Sequence, residues 1–256
     1  MFNKWYLLNM TPFEQREAFH LLFFAAFAER FVGRAYALKG GVCLRFYHRS
    51  PRLSEDMDMD IGNISAVTLR KGVEGVMGRS SFTSSLGSLG IVRMAWRTAK
   101  STDTAQRWNL SLEMGGDAPP ILTRLECSRR RSAIPYVMGV PAPDLLARYG
   151  YRPFSGQFYS VNEMVHQKID ALASVRRHAL RDLFDLDFLF AHGGGIVPAE
   201  VEGSVRQAAV KKISSMTRPQ FTADVLPYLS QESRSSYEVP AEFNQVVQRV
   251  QKRLTP

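Results

Sequence analysis

The sequence predicts an α+β protein with a sheet-bearing N-terminal half and a helical C-terminal half. Three observations carry this. Strand-like runs gather before residue 128, the last of them alternating between apolar and polar residues. Helix-start signals stand at Thr11 and Ser160. Between Pro135 and Gly156 the chain turns rich in Pro, Gly and Tyr, and mainly helical patterns follow it.

Taken in order, Thr11-Pro12-Phe13-Glu14 opens a first helix that the pattern carries to about Arg34: Thr11 can cap, Pro12 suits the first turn, and Glu14 completes a capping box. Tyr36–Lys39 reads as a short strand entering the pair Gly40-Gly41, and Val42–Tyr47 as a helical turn leaving it. Asp56–Ile61 is an acidic strand, and Val67 to Met77 has helical spacing. Ser80–Gly90, Ser- and Gly-rich, is expected to be a loop. Strands follow at Ile91–Arg97, Trp108–Met114 and Ile121–Cys127, the last two joined through Gly115-Gly-Asp-Ala-Pro-Pro120 as a hairpin with a long loop.

The Pro135–Gly156 stretch reads as a linker or an irregular surface segment, placing one domain at 1–134 and a linker with a helical domain at 135–256. Ser160-Val-Asn-Glu163 opens a helix running through Ser174, a second helix runs from Arg181 to Ala191, and Gly193-Gly194-Gly195 stops it. The remainder, including Pro240 to Leu254, reads as helices.

The chain has 256 residues and a formal net charge of +9, which favours a polyanionic partner without requiring one. Two cysteines, Cys43 and Cys127, are too few for a disulfide framework and fit a reduced, cytoplasmic protein. The most apolar run, Ala18 to Ala28, is too short to span a bilayer, so no membrane role is expected. Walker, Rossmann, His-Glu-x-x-His and Gly-x-Ser-x-Gly patterns are absent.

The segment from Lys39 to Asp60 carries the strongest chemical signal. Residues two apart in a strand share a face, so Ser54, Asp56, Asp58 and Asp60 line one side and Met57, Met59 and Ile61 the other. Adjacent carboxylates repel, and a divalent cation is what holds them together usefully. A solvated edge strand would show the same acids, but three apolar partners demand a core beneath. Gly40-Gly41 lets backbone approach a phosphate. Glu126, on an alternating strand, is the candidate third carboxylate, with Glu113 its rival and a surface pair with Arg124 the plain alternative. Lys168 lies beside the apolar stripe Met164, Val165, Ile169 and Leu172, which directs its amine at a specific partner. Asp182 falls in the first turn of its helix, where the dipole alone would favour it.

Four segments, Leu38-Lys-Gly-Gly-Val-Cys-Leu44, Arg52-Leu-Ser-Glu-Asp-Met-Asp58, Glu163 to Lys168 and Arg181-Asp-Leu-Phe-Asp-Leu186, resemble in order the motifs of the AbiEii-type nucleotidyltransferase toxin family. That family belongs to the polymerase-β-like nucleotidyltransferase superfamily. The resemblance implies a nucleotidyltransferase mixed sheet with flanking helices, a helical C-terminal domain, one or two Mg²⁺ ions and a nucleoside triphosphate. It also implies an abortive-infection toxin with a cognate antitoxin, and an RNA acceptor such as a tRNA 3′ end. Residue by residue, Gly40 and Gly41 fall on the phosphate-binding turn, Ser54 on the hydroxyl before the metal ligands, and Asp56 and Asp58 on those ligands. Lys168 falls on the basic residue that meets the triphosphate and Asp182 on the acid of the last motif, both contributing to the site from the C-terminal domain. Glu126 matches the third ligand by its place in a late strand, and Arg176 and Arg181 would help neutralise departing pyrophosphate. Val42 stands where the family has a small residue, Asp60 is an extra carboxylate, and nothing after about Ala191 matches a motif. A protein or small-molecule acceptor, or a catalytically idle nucleotide- or partner-binding module, are the other readings.

Overall fold

The computed structural model describes residues 10–131, 133–174, 179–192 and 194–255. The chain forms two compact units, one of residues 1–47 and 53–159, the other of 48–52 and 160–256.

The first unit contains α1 (Pro12–Arg30), β1 (Tyr36–Lys39), α2 (Gly40–His48), β2 (Asp56–Ile61), α3 (Ala66–Met77), α4 (Ser80–Ser88), β3 (Arg93–Ser101), β4 (Ala105–Glu113), β5 (Ile121–Ser128), β6 (Tyr136–Gly139), α5 (Pro143–Tyr149) and β7 (Gly156–Tyr159). The strands make a seven-stranded mixed sheet in the order β3-β4-β5-β2-β1-β7-β6. β2 runs parallel to β5 and antiparallel to β1, and β7 runs parallel to β1.

α1 begins where Thr11 and Glu14 close a reciprocal capping box and Pro12 needs no donor. It buries Phe19, Phe23, Phe24 and Phe27 completely. Phe27 meets Phe31 and Tyr36 at ring-centroid distances of 4.4 and 5.1 Å. Gly72 of α3 makes room for this cluster, since a Cβ there would lie 2.4 Å from the Phe31 ring. Met57, Met59, Leu110, Leu112 and Leu125 supply the buried face of the sheet.

Two expectations change. Ser80–Ser88 is helical, because Phe82 and Leu86, four residues apart, are buried and Phe82 packs edge-on against Phe19 and Phe23. The stretch read as a linker is part of the sheet unit. β7 lies beside β1, where the Gln157 side chain accepts the Tyr36 N–H at 2.9 Å and donates to the Arg34 carbonyl at 3.0 Å. The division between the units therefore falls at 159/160 and not at 134/135.

The second unit is helical: α6 (Val161–Ala173), α7 (Leu180–Ala191), α8 (Gly203–Ile213), α9 (Arg218–Asp224), a 3₁₀ turn (Leu226–Tyr228), α10 (Gln231–Glu238) and α11 (Pro240–Leu254). Ser160 caps α6 by accepting the Glu163 N–H. α7 is buried almost all round, including three aspartates, so every one of those carboxylates needs a partner. Residues 48–52 join this unit: the Ser230 N–H donates to the Pro51 carbonyl and Arg52 bridges Leu229. Gly193 lies outside the described residues. No helix among the described residues is long and apolar enough to cross a membrane.

Candidate active site

β2 alternates as the sequence requires, with Met57 and Met59 fully buried and Asp56 and Asp58 half-buried on the opposite face. Register then sets their neighbours. Asp58 stands opposite Glu126 on β5 and Lys39 on β1, and Asp56 stands opposite Arg124. Directly paired residues share a face, so Asp56, Asp58, Arg124 and Glu126 form one surface. Glu113 lies beyond the β5 pairing, at the far end of β4 opposite Arg93. Glu126, not Glu113, is thus the carboxylate beside Asp58.

Each acid but one on this face has a cation. Asp56 takes Arg124. Glu126 accepts from Arg107 Nε at 2.9 Å and from its terminal nitrogen at 2.7 Å. Asp60 is buried, accepting from Lys39 Nζ at 2.6 Å and from the Tyr159 hydroxyl at 2.8 Å, which makes it part of the sheet's framework. Asp58 has no hydrogen-bond or ion-pair partner among the described residues. Burial, reinforced by Glu126 and Asp56 and opposed by Lys39, pushes its carboxyl up to about 6. Burial also raises Asp56, against the pull of Arg124.

Gly40 adopts φ 67°, which favours glycine, and a Cβ on it would lie 3.2 Å from Asp58 Oδ2. Gly41 is buried. Together they start α2, whose first turn carries no acidic residue and so keeps a positive end toward any anion there.

These residues fit a divalent cation. Asp56 and Asp58 are hard oxygen donors on one face, and burial, with Glu126 and Asp56 beside it, holds the carboxyl of Asp58 above its ordinary value despite Lys39, a charge balance that a bound cation would relieve. The described residues contain no preformed cluster of three metal-ligating side chains, and Glu126 is held by Arg107.

Two interactions shape the turn before Asp56. The Ser54 hydroxyl donates to the Asp56 carbonyl at 3.0 Å. The Thr123 hydroxyl donates to the Glu55 carbonyl at 2.7 Å and lies 2.7 Å from His20 Nε2, so that nitrogen carries the imidazole proton. Burial, then Arg16, lowers His20 to about 3, and the ring is neutral.

In the helical unit, Lys168 is buried and its Nζ donates to Asp182 Oδ1 at 2.7 Å and lies 2.6 Å from Asp185 Oδ2. Arg52 grips the same Asp185 with two bonds of 2.7 Å. Burial alone would lower Lys168, but Asp182 and Asp185 outweigh it and keep the ammonium charged. Burial alone would raise Asp185, but Arg52 and Lys168 hold its carboxyl below the usual range. Arg181 lies over the Tyr228 ring at 3.8 Å and donates to the Asp224 carbonyl at 3.2 Å. Arg176 lies outside the described residues.

The sequence reading missed Asp185, Arg52, Arg107 and the Arg124–Asp56 pair. A signal existed for Asp185, three residues after Asp182 and hence on the same helix face. The arginine partners of Asp56 and Glu126 follow only from strand register.

A family model described as nucleotidyl transferase AbiEii toxin, type IV toxin–antitoxin system, matches residues 21–245. The fold is similar to the crystal structure of JHP933 from Helicobacter pylori, with a TM-score of 0.56, 19% identity, and 92% of this chain and 91% of that one covered. It is also similar to the crystal structure of a candidate nucleotidyltransferase from H. pylori, with a TM-score of 0.55, 18% identity, and 92% and 94% covered. No curated protein matches the chain.

Proposed function

The chain belongs to the AbiEii nucleotidyltransferase toxin family of type IV toxin–antitoxin systems, and from that premise we propose that it transfers a nucleoside monophosphate from a nucleoside triphosphate to an RNA acceptor, a tRNA 3′ end. The observation that carries this reading is the half-buried Asp58, without a hydrogen-bond or ion-pair partner among the described residues, beside the positive-φ Gly40 and opposite Glu126.

Asp56 and Asp58 would hold one or two Mg²⁺ ions, with Glu126 as a third carboxylate once Arg107 yields it. The metal, when bound, supplies positive charge to the triphosphate and to the attacking oxygen. The N–H groups opening α2 at Gly40 and Gly41 would donate to phosphate oxygens, where the missing side chain at Gly40 keeps the approach open. Ser54 holds the backbone of the Asp56 turn. The alternative role for Glu126 is to take the acceptor hydroxyl's proton. Lys168, Asp182, Arg176 and Arg181 carry over from the family motifs as contributors to triphosphate handling. The buried bonds of Lys168 to Asp182 and Asp185 support a further task, holding their own helices together. The net charge of +9 suits a nucleic-acid acceptor, and an antitoxin is the partner that a type IV system implies.

The test is transfer of label from each α-³²P-NTP to separate pools of tRNA and protein. Label on tRNA, lost in the double variant Asp56→Asn/Asp58→Asn, is the expected result. Label on protein alone, or full transfer by that variant, would overturn the reading.

A further inference from the structure

We propose that the open face of β5, β4 and β3 holds the single-stranded 3′ end of the acceptor, with Arg97 on its backbone phosphate and Asn109 and Leu122 against its terminal bases. This rests on the RNA-acceptor reading and assigns the acceptor a place.

The face carries a groove of about 650 Å³ that begins at Asp56 and is lined by Arg124, Asn109, Ser111, Leu122 and Arg97. That volume lies in the range of specific ligand sites, ~300–1,000 Å³, and is too small to seat a duplex. Register explains its length. Arg97 pairs with Asn109, Asn109 with Arg124, and Arg124 with Asp56, so the four side chains stand in one row across four adjacent strands. At about 4.8 Å per strand the row extends roughly 14 Å from the carboxylates, enough for more than one nucleotide stacked at ~3.4 Å per step.

The chemistry along the row suits a polyanion with flat, apolar rings. Arg97 is exposed and, among the described residues, makes no ion pair or hydrogen bond; the Asn109 amide and the Ser111 hydroxyl are likewise unengaged. Leu122 stands near the start of β5 with 66% of its surface exposed, next to Ser111 and Ala95 in the adjoining row. A leucine exposed there, two residues from Arg124 on the same face, offers a surface for an unstacked base, while the Arg97 guanidinium takes a phosphate. This is how single strands are bound: charge along the backbone, flat contact for bases, amide groups for base edges. The groove is continuous with Asp56, so a strand lying in it would bring its last hydroxyl to the carboxylates.

The experiment compares the wild type with Arg97→Glu and Leu122→Asp, both exposed positions, after equal melting temperatures confirm folding. Three quantities are read: anisotropy of a 5′-fluorescein single-stranded RNA with a free 3′ hydroxyl, binding of NTP with Mg²⁺ by calorimetry, and KM for each substrate in label transfer. The expected result is at least a tenfold rise in Kd and KM for RNA with the NTP constants within twofold. For Arg97→Glu the slope of log K against log salt should also fall by about 0.7, the value for one phosphate on a single strand. If both variants bind and extend RNA with wild-type constants, the groove is not the acceptor site, although RNA transfer stands. If the wild type labels only protein or a small molecule, RNA transfer and the groove assignment fail together.

Discussion

Gly40 and Asp58 are in contact across the start of α2: a Cβ on residue 40 would sit 3.2 Å from Asp58 Oδ2, and the backbone at 40 is already left-handed, φ 67°. Gly40→Ala therefore meets two obstacles at once. It should cost about 1–2 kcal/mol of stability through the positive φ. It should also lower kcat/KM for NTP at least tenfold, because the added methyl occupies the approach to Asp58. Chemical denaturation and label transfer would check both, and unchanged NTP kinetics would refute the second.

Asp56, Asp58 and Asp60 share one strand but not one role. Asp56→Asn and Asp58→Asn should each reduce label transfer at least a hundredfold, and should abolish the rise in melting temperature that NTP with Mg²⁺ gives the wild type. Asp60→Asn should keep that rise and instead lower stability by about 1–3 kcal/mol, because Lys39 and Tyr159 lose a charged acceptor. Thermal shift assays with and without ligand would separate the two classes.

Asp58 opposes folding when ionised. Its carboxyl is pushed up to about 6 in the fold from an ordinary value of 3.8, so the native state binds more protons than the unfolded chain between those values. Its contribution to stability therefore falls as pH rises from about 4 to 6 and stays low above that. Asp58→Asn should be more stable than the wild type at pH 8, by about 1–2 kcal/mol, and the advantage should vanish near pH 4. Urea melts of metal-free protein at the two pH values would show it.

Asp185 accepts from both Arg52 and Lys168 at full burial. Asp185→Ala should destabilise the protein by about 3–5 kcal/mol, since two buried cations would lose the carboxylate they share. Asp182→Ala, which leaves Lys168 on Asp185, should cost less. Denaturant midpoints of the two variants give the order, and equal losses would contradict it.

Leu122→Ala serves as a contrasting surface change. With its side chain largely exposed it should alter stability by less than about 0.5 kcal/mol. A larger loss in a urea melt would mean that the open face is buried in solution.

What was readable in advance was local. The capping signals at Thr11 and Ser160, the alternation in Asp56–Ile61 and the Gly40-Gly41 pair are properties of neighbouring residues, and each appears where the sequence puts it. Helical and strand periods are written into a few consecutive side chains, so they need no knowledge of the rest of the chain. The helix at Ser80–Ser88 was hidden because its composition suits a loop, and only the docking of Phe82 on Phe19 and Phe23 decides against that. The strands at Tyr136–Gly139 and Gly156–Tyr159 were hidden because four residues carry too little pattern until β1 offers the second an edge and the second offers one to the first.

Partnership across the sheet was not readable. By itself the sequence determined that Asp56 and Asp58 share a face, that glycines precede them, and that four family motifs occur in order. Only the tertiary structure decided that Arg124 takes Asp56, that Arg107 takes Glu126, that Asp60 belongs to Lys39 and Tyr159, and that Asp58 has no hydrogen-bond or ion-pair partner among the described residues. The physical reason is that charge pairing depends on strand register between segments up to about seventy residues apart, and a shift of one residue in β5 would turn Glu126 away from Asp58 altogether.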